Sequence, residues 1–204
     1  MLCNDNKNNT RISEINLLSN FKKKQKWIPF SFLQQNEWKV LSGKWKSESS
    51  DRVVCYRDSN VKMGENISII GSRHWNNFIL NVNFKILSNS IKPPQGGVIL
   101  YFLFKNSKSY YSFHFCLCKN KIEFIKRIRG VWTTKAEHNF DLTIEKDYLV
   151  TISTFSDVHR CRVDGRDFIE ISDDDISRGC IGIGTKYCEA VFSRVTISQQ
   201  SDFG

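Results

Sequence analysis

From Trp38 onward the chain alternates apolar and polar side chains with a period of two, the repeat of a strand that turns one face to a core and the other to solvent. The clearest run is 78–86. There Phe78, Leu80, Val82, Phe84 and Ile86 alternate with Ile79, Asn81, Asn83 and Lys85. Residues 98–104 are apolar almost throughout, which predicts a strand covered on both faces. Shorter strands are predicted around Trp38, Val40 and Leu41, around Trp45, and around Ile67, Ile69 and Ile70. Longer ones follow at 110–118, 121–128, 131–136, 148–154, 160–163, 167–171, 180–184 and 190–198, by their β-branched and aromatic content.

Turn formers separate these runs: Ser42-Gly43, Gly71, the Pro-Pro-Gln-Gly-Gly stretch at 93–97, residues 106–109, Asn120, Gly130, Asp164-Gly165 and Gly179. Asp164-Gly165 predicts a two-residue hairpin, since both residue types tolerate left-handed backbone. A dozen or so short strands, turns every ~8–12 residues and no long helix predict an all-β, antiparallel jelly-roll β-sandwich over 27–198. Residues 1–26 stand apart as an arm rich in Asn and Lys. Within it Ile12, Ile15, Leu18 and Phe21 fall near helical spacing, so a short amphipathic helix is expected over 11–24. That helix reads either as a docking arm or as an element packed on its own domain. Residues 199–204 are expected to be a tail.

Composition changes this picture in three places. With 204 residues, 40% of them hydrophobic, the chain is large enough for a core of its own, which excludes wholesale disorder. The formal net charge is +9, concentrated before residue 150 in runs such as Lys22-Lys23-Lys24 and Lys126, Arg127 and Arg129. Such charge suits nucleic acid or an anionic surface, or is simply a solvated face. Seven cysteines with no C-x-x-C pair argue against a zinc ribbon or a thioredoxin-like site. The odd count, and residues 1–9 that lack the apolar segment of a secretory signal, lead to the expectation of a reducing, cytoplasmic compartment. No run approaches the ~18–20 apolar residues of a membrane span.

An ordered set of stations gives the chain a family likeness. They begin with Trp38 and Trp45, Trp75, Phe78 and Leu80, Gly97-Val98-Ile99-Leu100-Tyr101, and Ser109-Tyr110-Tyr111-Ser112-Phe113. They continue with Ile122-Glu123-Phe124-Ile125-Lys126-Arg127, Tyr148, Val150 and Ile152, and Val163-Asp164-Gly165. Last come Asp175-Ile176, Gly179, Ile181-Gly182-Ile183 and Ala190-Val191-Phe192, Val195 and Ile197. In this order they resemble the laminin-G-like, concanavalin A-like jelly-roll domains, especially the DUF1080 (3-keto-disaccharide hydrolase-like) and related carbohydrate-binding branch. The resemblance implies a concave sheet that meets ligand, formed here by 97–104, 109–118, 121–129 and 131–136. It leaves activity open, because the fold hosts glycosidases, lectins and interaction modules alike. In its glycosidases three acidic residues alternate along one strand.

Four constellations carry candidate chemistry. Sugar recognition wants flat aromatic faces beside planar hydrogen-bonding groups. Tyr101, Tyr110, Ser112 and His114 share one side of their strands, Glu123, Arg127 and Arg129 share a parity on the next, and Trp132 follows. The acidic run Glu170, Asp173, Asp174 and Asp175 mixes parities, so it reads mainly as a turn cap, with catalysis or calcium as weaker alternatives; no other cofactor is implied. His114, Cys116 and Cys118 share a strand face, but their spacing is long for one zinc ion, and packing accounts for the cysteines. Lys121, Lys126, Arg127, Arg129 and Lys135 interleave with Phe124 and Trp132 as a single-stranded nucleic-acid surface would. The expectation is a non-catalytic module that binds a glycan or a protein partner through its concave sheet. The alternatives are a glycoside-acting hydrolase and a scaffold subunit or nucleic-acid-associated basic protein.

Overall fold

The computed structural model describes residues 26–29, 38–49, 51–56, 64–88 and 96–199. The helix expected over 11–24 and most of the expected tail lie outside these residues. The strands are β1 (Lys26–Pro29), β2 (Lys39–Ser42), β3 (Lys44–Ser49), β4 (Arg52–Tyr56), β5 (Glu65–Ile70), β6 (Phe78–Ile86), β7 (Gly97–Asn106) and β8 (Ser109–Cys116). They continue as β9 (Lys121–Ile128), β10 (Val131–Asn139), β11 (Asp147–Phe155), β12 (Val158–Val163), β13 (Arg166–Ser172), β14 (Cys180–Lys186) and β15 (Ala190–Gln199). Two antiparallel sheets result. One runs β13-β12-β11-β6-β15-β4-β3, with β1 also paired to β15; the other runs β10-β9-β8-β7-β14-β5-β2. The all-β sandwich read from the periodicity is the fold observed.

Alternation decides which side chains meet between the sheets. In β6 the even-numbered residues are buried and the intervening ones half-buried along the whole strand, so Phe78, Leu80, Val82, Phe84 and Ile86 form the core wall of the first sheet. Phe102, Phe113, Phe115 and Phe124 face them from the second. Phe84 and Phe115 meet edge-on with centroids 5.0 Å apart, an arrangement favoured by their quadrupoles. β7 is buried on both faces from Gly97 to Phe104. Val98, Leu100 and Phe102 enter the inter-sheet core, while Ile99, Tyr101 and Phe104 form a second apolar cluster on the opposite face, with Ile67, Tyr110 and Cys180.

The turns follow their residues. Asp164 and Gly165 both have positive φ, 50° and 80°, as a type I′ hairpin requires, and the Asp164 carboxylate accepts the Leu149 amide at 3.0 Å. Gly97 and Gly179 are needed for a different reason than turning. A Cβ at Gly97 would overlap the Phe115 carbonyl, and one at Gly179 the Leu103 backbone; close approach, not left-handed φ, selects glycine at both. β15 is bent by an irregularity between Ser193 and Thr196. It therefore pairs with β4 through 190–193 and with β1 through Thr196–Gln199, which returns the chain's end to its earliest described strand, as a jelly roll does. Among the described residues, β1 and β4 are strands that the periodicity did not single out. Both are short, and β4 gains definition only from flanking β3 and β15.

Candidate functional site

The site lies on the face of the second sheet that points away from the core. Registers place Trp132 opposite Arg127, and Arg127 opposite Tyr110. They also set Glu123 opposite His114, His114 opposite Ile99, and Lys186 opposite Glu65. Strand period two then brings all of these to one face. Trp132 and Lys186 sit four strands apart, on β10 and β14, which in a flat sheet is a span of about 19 Å. Yet the Lys186 ammonium lies 5.7 Å from the Trp132 ring centroid. The sheet must curl until its two flanks approach, so this face is concave. Its hollow is a pocket of ≈ 230 Å³ lined by Glu65, Tyr110, Ser112, His114, Glu123 and Trp132, with Lys119 and Lys186 at its sides.

Trp132 is the aromatic wall. It is 43% exposed, donates its indole N–H to Tyr110 Oη at 3.3 Å, and has the Arg127 guanidinium 4.3 Å from its ring centroid. Arg127 is itself anchored by the carbonyl oxygen of Ser107 at 2.6 Å. A ring held in this way keeps its orientation before any ligand arrives, which lowers the entropic cost of stacking on it.

The polar wall is made of ion pairs. Lys119 Nζ meets Glu123 Oε1 at 3.0 Å, and Lys186 Nζ meets Glu65 Oε1 at 3.4 Å. Beside Glu123 stands His114, with Nδ1 at 3.7 Å from Oε2. That distance is too long for a hydrogen bond. Burial, with Lys186 and Lys119 close by, pushes the imidazole down to about 3, so the ring is neutral at ordinary pH. Its Nε2 is buried and has no hydrogen-bond partner among the described residues.

Five of the eight residues singled out from the sequence for sugar recognition line this pocket together: Tyr110, Ser112, His114, Glu123 and Trp132. Arg127 braces it from behind the rings. Tyr101 shares the face but is completely buried in the second apolar cluster, where desolvation holds its hydroxyl well above the usual range; it packs beneath the site instead of lining it. Arg129 lies outside. β9 ends at Ile128, and Arg129 takes φ +50° in the turn to β10, which cancels the parity it shares with Arg127. Glu65, Lys119 and Lys186 were not legible as site residues. Glu65 and Lys186 are recruited by the pairing of β5 with β14, strands more than half the chain apart, and no local pattern reports that register; Lys119 comes from the turn between β8 and β9, one i,i+4 step before Glu123.

The other constellations resolve into structural roles. Asp173 is almost buried and binds Lys126 Nζ at 2.7 Å and Lys135 Nζ at 3.5 Å, while Tyr111 Oη donates to its carboxylate and Lys126 also reaches Asp175. Ammonium groups thus occupy the position calcium would need at Asp173 and Asp175, and Asp174 is exposed. Glu170 is on the other sheet, paired with Arg160 at 2.5 Å, so it cannot share a catalytic face with them. Cys118 lies beyond the end of β8 and is exposed, while Cys116 is buried; the described residues hold no cluster of three metal-ligating side chains. The basic surface is also dispersed: Phe124 is fully buried, Lys126 and Lys135 hold Asp173, and Lys121 pairs with Glu137 at 2.6 Å. No helix of the described residues is long and apolar enough to cross a membrane.

No protein-family model matches the sequence, and no curated protein sequence matches it. Solved structures do match its fold. A carbohydrate-binding module, CBM66 from Bacillus subtilis, superposes with a TM-score of 0.69 at 20% identity, over 80% of this chain and 96% of that one. The exoplasmic/lumenal domain of VIP36 in its Ca²⁺/Man3GlcNAc-bound form gives 0.64 at 12% identity, over 89% and 92%. The apo Crh5 transglycosylase gives 0.60 at 9% identity, over 87% and 85%. Binding modules and an enzyme stand side by side among these neighbours, and none of them singles out the DUF1080-like branch. What they share with this chain is architecture: it is a concanavalin A-like jelly-roll sandwich.

Proposed function

We propose that the chain is a glycan-binding module whose concave sheet holds one sugar unit in the pocket between Trp132 and the Glu123–Lys119 and Glu65–Lys186 pairs. The observation that carries this reading is the convergence, in one hollow, of a braced and half-open indole with buried, oriented polar groups. A sugar ring presents an apolar C–H face and an equatorial fringe of hydroxyls, and these two walls complement it. The hollow of ≈ 230 Å³ is below the ~300–1,000 Å³ of drug-sized ligand sites, a size for one ring and not for a long chain. Neighbours of the same fold that are named as carbohydrate-binding or were solved with bound mannosides support the reading.

The test is a glycan array followed by calorimetry on the best binder, comparing the wild type with Trp132→Ala and Glu123→Gln. Each substitution is expected to weaken binding about tenfold or more, the equivalent of one lost stacking or charge-assisted contact. A blank array, or binding untouched by both variants, would remove the proposal.

The hydrolytic alternative has one observation behind it: two carboxylates, Glu65 and Glu123, line the same pocket. A glycosidase needs one of its pair to carry a proton for the leaving group, whereas both carboxylates here face lysines. Release of reducing ends from array-positive oligosaccharides, abolished by Glu123→Gln, would establish hydrolysis; unchanged oligosaccharides after prolonged incubation leave binding alone.

A further inference from the structure

Resting on the glycan-binding reading, we infer that the pocket selects uncharged sugars over acidic ones, and that His114 Nε2 is the acceptor for a hydroxyl of the bound ring. Donors and acceptors in the pocket are unequally supplied with partners. His114 sits on the pocket floor, only 5% exposed, with Nδ1 toward the Glu123 carboxylate and Nε2 unpartnered among the described residues. A carboxylate facing Nδ1 favours the tautomer that carries its proton there. In that tautomer Nε2 offers a lone pair. A buried acceptor without a donor costs free energy that a ligand O–H can recover.

The remaining groups point the same way. The two ammonium groups at the pocket sides are already matched by two carboxylates, and the Arg127 guanidinium, outside the lining, is held by the Ser107 and Gly130 carbonyls, so the lining side chains carry no net charge. Carboxylate and sulfate groups of acidic sugars are acceptors only at neutral pH. Placed against Nε2 they would meet a lone pair, and placed against Lys119 or Lys186 they would compete with Glu123 or Glu65 already in position. An ammonium sugar would meet those same lysines. A neutral ring avoids both conflicts: one hydroxyl donates to Nε2, others reach the carboxylate oxygens of Glu123 and Glu65, and the Ser112 and Thr134 hydroxyls act in either sense.

Matched probes test this. Oligosaccharides ending in a neutral hexose or pentose are compared with the same scaffolds ending in a uronic acid, a sialic acid or a sulfated sugar. A monodeoxy series of the best neutral binder is then titrated against the wild type, His114→Phe and His114→Gln, with thermal melting to establish that each variant is folded. The inference expects at least a tenfold preference for neutral termini. It expects one deoxy position to cost the wild type about tenfold and His114→Phe nothing further, with His114→Gln, whose amide oxygen still accepts, intermediate. Acidic termini that bind as tightly as neutral ones overturn the inference and leave glycan binding standing, as does a deoxy series in which no single hydroxyl matters to the wild type. Absence of binding to every probe overturns the glycan reading itself.

Discussion

His114 is a base kept neutral by its surroundings, and that has a consequence for stability separate from binding. Its ordinary value of 6.5 is depressed to about 3 in the folded chain by burial and by the positive charges of Lys186 and Lys119. Between those values the unfolded chain takes up a proton that the folded one refuses. Stability is therefore complete above about pH 6.5 and falls as the pH drops toward 3. By pH 4 the loss from this one group is on the order of 3 kcal/mol. His159, buried among Phe102, Tyr111 and Phe124 and also depressed by burial, adds in the same direction. Urea unfolding of the wild type and His114→Gln at pH 7 and pH 4 checks this: the variant should show the smaller difference between the two pH values. Equal differences would mean that His114 is not held neutral by its site.

At the scale of elements, the two sheets are closed along one edge by charge. The segment between β13 and β14 lays Asp173 against Lys126 of β9 and Lys135 of β10, and the Asp173 carbonyl meets His159 Nε2 of β12 at 3.0 Å. Burial alone would raise the Asp173 carboxyl, but Lys126 and the Tyr111 hydroxyl outweigh it and bring it from 3.8 to about 2. Its contribution is thus present above about pH 4 and lost as the pH falls toward 2. Asp173→Asn leaves the Lys126 ammonium, on a side chain that is 15% exposed, without its main partner. The expected loss is about 2–4 kcal/mol, below the range for a wholly buried pair because water reaches part of the network. Removing Asp175, more than half exposed, is expected to cost under about 1 kcal/mol. Denaturant midpoints of the two variants separate these outcomes.

Over the whole molecule, the double layer of packing decides which reactive groups are within reach. Among the described residues, none of the six cysteines is joined in a disulfide. Burial pushes Cys55 and Cys188 up to about 12 and raises Cys161 as well, so their thiolates are scarce and shielded. Cys118 alone among the six is exposed. Brief treatment of the native protein with iodoacetamide, read by peptide mass spectrometry, should label Cys118 well ahead of Cys55, Cys161 and Cys188, and all four should label alike in denaturant. Native labelling of Cys161 at the rate of Cys118 would mean that the sandwich opens far more readily than its packing implies.

Alternation along single strands was sufficient for the fold. The runs at 78–86 and 98–104 each state their own burial, because strand geometry converts residue parity directly into face. Asp164-Gly165 likewise states its own turn. Part of the pocket was legible for the same reason: Tyr110, Ser112, His114, Glu123 and Trp132 come from three consecutive hairpin strands, where each register follows from the last. Arg129 misled because parity ends where a strand ends, and Tyr101 because parity gives a face but not a depth. Glu65 and Lys186 were decided only by tertiary structure. They arrive on strands far apart in the chain, and the curl that carries Lys186 to Trp132 is a property of the assembled sheet, produced by twist and packing that no single segment encodes.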